Sequence, residues 1–244
     1  MATLFISDLH LHASRSAITA LFLEFLRDEA AEAEALYILG DLFEAWVGDD
    51  ADDGLAHAVR AALRELSARG VPVFLMRGNR DFLFGPRFSA DTGATLLPDP
   101  SVVSLYGQPT LLMHGDLLCS DDQRYLEFRE QVRDLSWQAS FLSQTLTARL
   151  AFADRARVES QQHQDGLRQG GQLEAITDAN DETVEATMAR FGVTRLIHGH
   201  THRPAIHLLR SSGQPAQRIV LGDWYEQGSV LRATPEGFEL SELA

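Results

Sequence analysis

Seven side chains of metal-ligand type stand where five apolar runs end. Asp8 and His10 follow Ile6-Ser7, and Asp41 closes Ala35-Leu-Tyr-Ile-Leu-Gly-Asp41. Asn79 lies in Met76-Arg-Gly-Asn79-Arg80-Asp81, His114 in Met113-His114-Gly-Asp116, and His200 and His202 in Ile197-His198-Gly-His200-Thr-His202. Taken alone, an Asp after Gly reads as a turn or cap residue, and a lone His as a hydrogen-bonded structural group. Several strand-like runs that each deliver such a residue read as one centre, because open α/β sheets gather their sites at the carboxyl ends of strands. Alternate residues of an extended segment share a side, so Asp8 with His10, and His200 with His202, can each address one point. Carboxylate, amide and imidazole donors without a thiolate suit manganese, iron(II) or zinc, and the share of oxygen favours manganese.

The runs that must position these groups form a regular series. Residues 3–7 predict a strand, and residues 16–33 a helix in which Ile18, Leu21, Phe22, Phe25 and Leu26 recur at helical spacing. Residues 35–40 predict a second strand, 55–68 a helix stopped by Gly70 and Pro72, and 73–76 a third strand, giving the order βαβαβ. Beyond these come a hairpin over 102–106 and 110–113, turned at Gly107-Gln-Pro109, and short strands at 195–198, 205–209, 218–221, 229–233 and 237–240. Turns such as Ser212-Gly-Gln-Pro215 join them, and the mixture predicts mixed sheets in place of a doubly wound parallel one. Residues 122–190 interrupt this pattern with helical stripes, Tyr125, Phe128, Val132 and Leu135, then Leu142, Leu146 and Leu150. The segment enters just after His114-Gly-Asp116 and returns just before His198-Gly-His200, so both ends lie at the rim of the expected site, where lids are found. The predicted organisation is a body of residues 1–121 and 191–244 with a helical insertion, 122–190, as a substrate lid.

Composition narrows the partners. At 244 residues with a formal charge of -14, the chain lacks the basic footprint that a nucleic-acid backbone requires, so no nucleic-acid partner is expected. Any phosphate must be met by metal or by a few local arginines. Cys119 is the single cysteine, so no internal disulfide forms, which fits a reducing compartment. No run approaches a membrane span, and the first residues lead straight into a strand without a signal-like segment, so we expect a cytoplasmic chain that at most lies on a membrane. The acidic loop of residues 42–54 has neither the spacing nor the terminal Glu of a calcium loop and reads as solvated.

Asp8-Leu-His10, Gly40-Asp41, Gly78-Asn79-Arg80-Asp81, His114-Gly-Asp116 and Gly199-His200-Thr-His202 resemble, in order, the five blocks of the calcineurin-like metallophosphoesterases. The resemblance implies a four-layer α/β/β/α sandwich and two divalent ions. One would be held by Asp8, His10, Asp41 and His202, the other by Asp41, Asn79, His114 and His200, with Asp41 bridging. Longer stretches, Tyr37-Ile-Leu-Gly-Asp-Leu-Phe-Glu-Ala-Trp46, Gly78-Asn-Arg-Asp-Phe82 and Ile197-His-Gly-His-Thr-His-Arg-Pro204 among them, are similar to the UDP-2,3-diacylglucosamine pyrophosphatase family over nearly the whole chain. This implies hydrolysis of UDP-2,3-diacylglucosamine to UMP and 2,3-diacylglucosamine 1-phosphate in lipid A biosynthesis, with manganese as the usual metal, by a peripheral protein on the cytoplasmic side of the inner membrane.

By the same resemblance Asp41, Asn79, Arg80, His114 and His200 are the catalytic set, and Asn79, Arg80, Asp122, Ser160, Gln164, Arg168 and His200 meet the substrate. Arg168 stands there as a substitute for a family lysine. Where the superfamily has Gly-Asn-His, this chain has Gly78-Asn79-Arg80. A permanent cation thus replaces a titratable one, able to bind phosphate oxygens through its fork but not to act as an acid. His163 and His207 read as surface or packing residues, and His198 as a neighbour of the ligands. Two other classes stay open on the sequence: a metallophosphoesterase for a nucleotide or another phosphodiester, and a metal-free scaffold on this fold. The apolar insertion speaks against a small polar substrate, and the intact ligand set against a scaffold.

Overall fold

A computed structural model gives the structure of residues 1–171 and 173–243. The first half runs β1 (Thr3–Ile6), α1 (Ser16–Arg27), β2 (Ala35–Leu39), α2 (Gly54–Ala68), β3 (Val73–Met76), α3 (Pro86–Thr92), β4 (Thr95–Leu97), β5 (Ser101–Leu105) and β6 (Gln108–Met113). Then come α4 (Gln123–Arg133), α5 (Leu135–Leu142), α6 (Leu146–Gln169), α7 (Leu173–Thr177) and α8 (Asp181–Phe191). The chain closes with β7 (Arg195–His198), β8 (Ala205–Ser211), β9 (Gln214–Val220), β10 (Gly228–Thr234) and β11 (Gly237–Leu243). One sheet has the order β11-β10-β1-β2-β3-β4, with β1 to β4 parallel and β10 antiparallel to β1. The other is β5-β6-β7-β9-β8, with β6, β7 and β9 parallel between antiparallel edges.

Side-chain alternation sorts these strands into layers. Leu4 and Ile6 of β1 pack with Phe22 and Phe25 of α1 and with Val59 and Leu63 of α2. Phe5, on the opposite face, joins Leu39, Met76, Leu112, Ile197 and Ile219 between the sheets. The far face of the second sheet, through Leu111, Met113 and Leu196, packs on Val184 and Met188 of α8. The result is helices, sheet, sheet, helix.

Three local departures from the sequence expectation have physical causes. The helix expected to residue 33 stops at Arg27, with a separate 3-10 turn at Ala30–Glu32, because Asp28, Glu29 and Glu32 would place negative charge at its C-terminal end. The short α3 and β4 fall below the length at which periodicity is readable. Tyr106 and Gly107, and likewise Ser212 and Gly213, have positive φ at both positions, so each hairpin turns within two residues. Gln108-Pro109 and Gln214-Pro215 therefore open strands, where a missing N–H is tolerated.

The insertion is seated on the loops that follow β2 and β3. Val132 and Phe141 are buried in the first core, Trp137 stacks on Phe141 at 4.9 Å, and Phe82 lies 6.3 Å from Trp137. Arg149 of α6, only 2% exposed, donates to Val47 O at 2.6 Å and pairs with Asp50. Leu135, Leu142, Leu146, Leu150 and Val158 stay exposed. Among the described residues, no helix is long and apolar enough to cross a membrane.

Because α8 supplies the fourth layer, Met188→Ala should lower the global unfolding free energy by about 2–5 kcal/mol, as deletion of a buried Met side chain does elsewhere. Chemical denaturation followed by circular dichroism checks this. An unchanged midpoint would mean that α8 moves with the insertion instead.

Candidate active site

The loops after the parallel strands keep pairing beyond the sheets, which draws their ends together. Asp8 N donates to Gly40 O at 3.1 Å, His10 N to Asp41 O at 2.9 Å, Gly199 N to His114 O at 2.8 Å, and Trp224 N to Asp8 O at 3.1 Å. Asp8, His10, Asp41, His200 and His202 all take left-handed backbone, with φ of 56, 47, 53, 71 and 54°. Asp and His visit this region more readily than most residues, yet each such residue costs on the order of 1–3 kcal/mol. The shared side of Asp8 and His10 thus arises from repeated left-handed kinks, not from extended strand as expected. Leu9 and Leu11 between and beyond them point into the core.

Two groups of donor atoms result. His202 Nε2 lies 3.3 Å from Asp8 Oδ1 and 3.4 Å from His10 Nε2, and His10 Nε2 lies 3.7 Å from Asp41 Oδ2. On the other side Asn79 Oδ1 lies 2.8 Å from His114 Nε2 and 2.9 Å from His200 Nδ1, and His114 Nε2 lies 3.8 Å from Asp41 Oδ1. The Asp41 carboxylate therefore offers one oxygen to each group. Ligands at roughly 2.0–2.2 Å from a metal ion sit about 3–4 Å from one another, which is this spacing.

The donors also carry the marks of a cation site. Asp8 Oδ1 is buried without a hydrogen-bond partner. His114 Nδ1 lies 2.9 Å from Leu39 O, and donation to that carbonyl leaves the Nε2 lone pair facing Asn79 Oδ1. Ligand atoms of Asp8, His10 and His202 lie within 4.8 Å of one another, as do those of Asp8, Asp41 and His114. Burial opposes a charge on His114, yet Asp41, Asp116 and Asp8 push it up to about 9. Burial and the neighbouring His114 push His200 down to about 4. Burial opposes ionisation of Asp8, but His202, His114 and His10 hold it well below the usual carboxylate range. The centre is built to hold positive charge.

Asp81 fixes the frame. Fully buried, it accepts from Gly78 N at 2.8 Å and Asp41 N at 3.3 Å through one oxygen, and from Leu42 N at 2.7 Å and Phe43 N at 3.3 Å through the other. Burial and the Asp41 carboxylate push it up to about 7 against the pull of these donors. Gly78 and Gly199 leave room that a side chain would fill: a Cβ on Gly78 would overlap Asp41 Oδ1, and one on Gly199 would overlap Asp8 Oδ2.

Arg80 is half-buried, with Nε unpartnered, while its backbone N donates to Asp41 Oδ1 at 2.8 Å. Asp122 caps α4 by accepting from Tyr125 N at 3.0 Å and faces His163 Nε2 at 3.5 Å. Ser160 and Gln164 are half-buried on the face of α6 that also carries His163. Arg168, one turn beyond Gln164, is exposed and donates to Asp165 Oδ1 at 2.7 Å on its own helix. His198 is buried, with Nδ1 at 2.8 Å from Gly199 O, and burial pushes it down to about 3.

Other residues at the site were not singled out from the sequence. Tyr125 OH and Arg129 Nε donate to Asp116 behind His114. Glu44 faces His10 and Arg157, and Tyr225 stacks on His10 at 5.4 Å. Asp81 and Asp116 had a signal, each two residues past a ligand. Glu44 was hidden in an acidic loop that reads as solvated, and Tyr225 has no local signal at all.

The family profile described as calcineurin-like phosphoesterase matches residues 1–204. A curated protein of Xanthomonas campestris pv. campestris (strain B100), named UDP-2,3-diacylglucosamine hydrolase, is 57% identical over 246 residues that cover 100% of both chains. One of the same name from Stenotrophomonas maltophilia (strain K279a) is 58% identical over 100% of this chain and 99% of its own. A solved structure described as a novel archaeal phosphodiesterase aligns with a TM-score of 0.50 at 12% identity, over 100% of both chains, and supports the fold alone.

Since Asp41 faces both donor groups and Asn79 only one, Asp41→Ala should abolish turnover and strip bound metal more completely than Asn79→Ala. Elemental analysis after dialysis against dilute metal checks this. Equal metal content in the two variants would contradict the bridging position.

Proposed function

The chain belongs to the calcineurin-like phosphoesterase family, and from its full-length similarity to UDP-2,3-diacylglucosamine hydrolases we propose that it hydrolyses the pyrophosphate bond of UDP-2,3-diacylglucosamine, giving UMP and 2,3-diacylglucosamine 1-phosphate in lipid A biosynthesis. The observation that carries the chemistry is the Asp41 carboxylate between two donor groups, with Arg80 beside it. Asp8, His10, Asp41 and His202 would hold one divalent ion, and Asp41, Asn79, His114 and His200 the other. We assign both as manganese from the oxygen share of the donors. Such ions, when bound, supply a lowered water pKa and neutralise charge on phosphorus oxygens.

The chain's own residues do the rest. Left-handed backbone and the Asp81 clamp hold the donors before substrate arrives, so little reorganisation is left for the reaction itself. Arg80 presents a fork to the non-bridging oxygens and cannot give up a proton. The leaving group is itself a phosphate and departs as an anion, so no acid is needed. Asp122, Ser160 and Gln164 form the polar side toward the head group, and Arg168 would join them only by leaving Asp165.

The lid expected over residues 122–190 narrows in this reading to α4 to α7, because α8 packs on the second sheet. Leu142, Leu146 and Leu150, left exposed, would meet acyl chains or the cytoplasmic face of the inner membrane, to which the protein attaches without spanning it. Each buried methylene contributes about 0.8 kcal/mol, so a few of them suffice to favour an acylated substrate over a small one.

Incubation of the manganese-loaded chain with UDP-2,3-diacylglucosamine should yield UMP and the 1-phosphate by mass spectrometry, whereas ADP-ribose and a generic phosphodiester should turn over far more slowly. Comparable rates on all three would remove the lipid reading. Arg80→Lys should retain metal but lose the fork, and with it about 1.5–3 kcal/mol of charge-assisted hydrogen bonding, or about 10- to 100-fold in kcat/KM. Wild-type turnover by Arg80→Ala would take Arg80 out of the mechanism.

A further inference from the structure

His10 has two ring nitrogens with different surroundings. Nε2 faces Asp41 Oδ2, Asp8 Oδ1 and His202 Nε2, at 3.7, 4.0 and 3.4 Å. Nδ1 is buried, has no aligned hydrogen bond, and faces Glu44 Oε2 at 3.4 Å. A ligating imidazole holds its tautomer and ring angle by giving its other N–H to an acceptor, and Glu44 is placed to be that acceptor. Its backbone is already tied to the site, since Glu44 N donates to Leu11 O at 3.1 Å.

The lid also reaches the Glu44 carboxylate. Its second oxygen, Oε1, lies 2.8 Å from Arg157 Nη2, and the carboxylate is 11% exposed where the arginine side chain is 44% exposed. Arg157 stands on α6 about two turns beyond Arg149, the residue that anchors this helix to Val47 and Asp50. A chain of contacts therefore runs from the lid helix through Arg157 and Glu44 to His10. The other histidine of the same group is arranged differently: His202 Nδ1 faces Asp223 Oδ2 at 3.7 Å, and Asp223 belongs to the loop after β9, not to the lid.

We infer that Glu44 is a positioning residue for His10 and that Arg157 holds it in place, so that seating of the lid and occupancy of the first metal site favour each other. Lid opening withdraws Arg157, frees the carboxylate to turn toward solvent, and loosens His10. The inference rests on reading Asp8, His10, Asp41 and His202 as a metal site.

Calorimetric titration of the metal-free full chain with manganese tests it. Glu44→Gln should weaken one of the two sites by about 10- to 100-fold, the usual cost of altering a partner of a ligating His. Arg157→Met should weaken the same site by about 5-fold or more, the lower range of coupling between linked sites. The Arg157→Met effect should vanish in the Glu44→Gln background, persist in full on Asp223→Asn, and be largely rescued by Arg157→Lys. Coupling is reciprocal, so manganese should slow hydrogen exchange along α6 in the parent chain and not in Arg157→Met. A parent chain that takes up no manganese overturns the metal reading and this inference with it. Normal uptake with unchanged affinity in Arg157→Met, or with additive losses in the double variant, overturns the coupling alone.

Discussion

One buried carboxylate gathers four backbone N–H groups from two loops that the sequence places far apart. Asp81 takes them from the loops after β2 and β3, and the two loops carry Asp41 and Asn79. Both its oxygens are taken up by peptide N–H groups, so it holds the frame without competing for metal. The alternative of pairing it with a cation would place a second positive group inside a centre that must accept positive charge of its own. Asp41 can stand between two donor groups because its own N–H is held from behind while Arg80 N–H holds one of its oxygens.

The same frame explains why left-handed residues are tolerated there. Each ligand loop leaves a parallel strand and must turn its functional side chain across the sheet edge within two residues. Left-handed backbone does this and lets Leu9 and Leu11 return to the core. The apolar anchor and the strained ligand are thus consecutive residues, and the burial of one offsets the conformational cost of the other. The glycines at 78 and 199 serve a steric purpose in the same loops, leaving space that Asp41 and Asp8 occupy.

Most of the sandwich was legible because its strands alternate or run apolar, with helices at 3.6 spacing between them; Leu4, Phe5 and Ile6 sort to the faces their order suggests. The seven donors were legible because they end those runs, and the structure brings them together. Where the reading ran out, the missing information was tertiary. Nothing in residues 42–54 distinguishes Glu44 from its acidic neighbours, because the distinction is made by Arg157, 113 positions away, and by His10. Tyr225 meets His10 only through the fold. The side of α6 that faces inward could not be chosen from its stripes, since that helix is polar around most of its surface.

β6 and β7 are neighbours and parallel, so chain topology demands a crossover between them, and α8 already satisfies that demand by packing on the sheet they share. Everything from α4 to α7 is then surplus to the connection, an expansion of the loop that leads into α8. Loop-closure entropy rises only with the logarithm of length, so such an expansion can change length at little closure cost where it does not reach the core, as it does through Val132 and Phe141. The sheet edge that gathers the seven donors and the helices α4 to α7 are therefore built by separate parts of the topology. One is locked by strand pairing, and the other hangs on a loop that the crossover does not need.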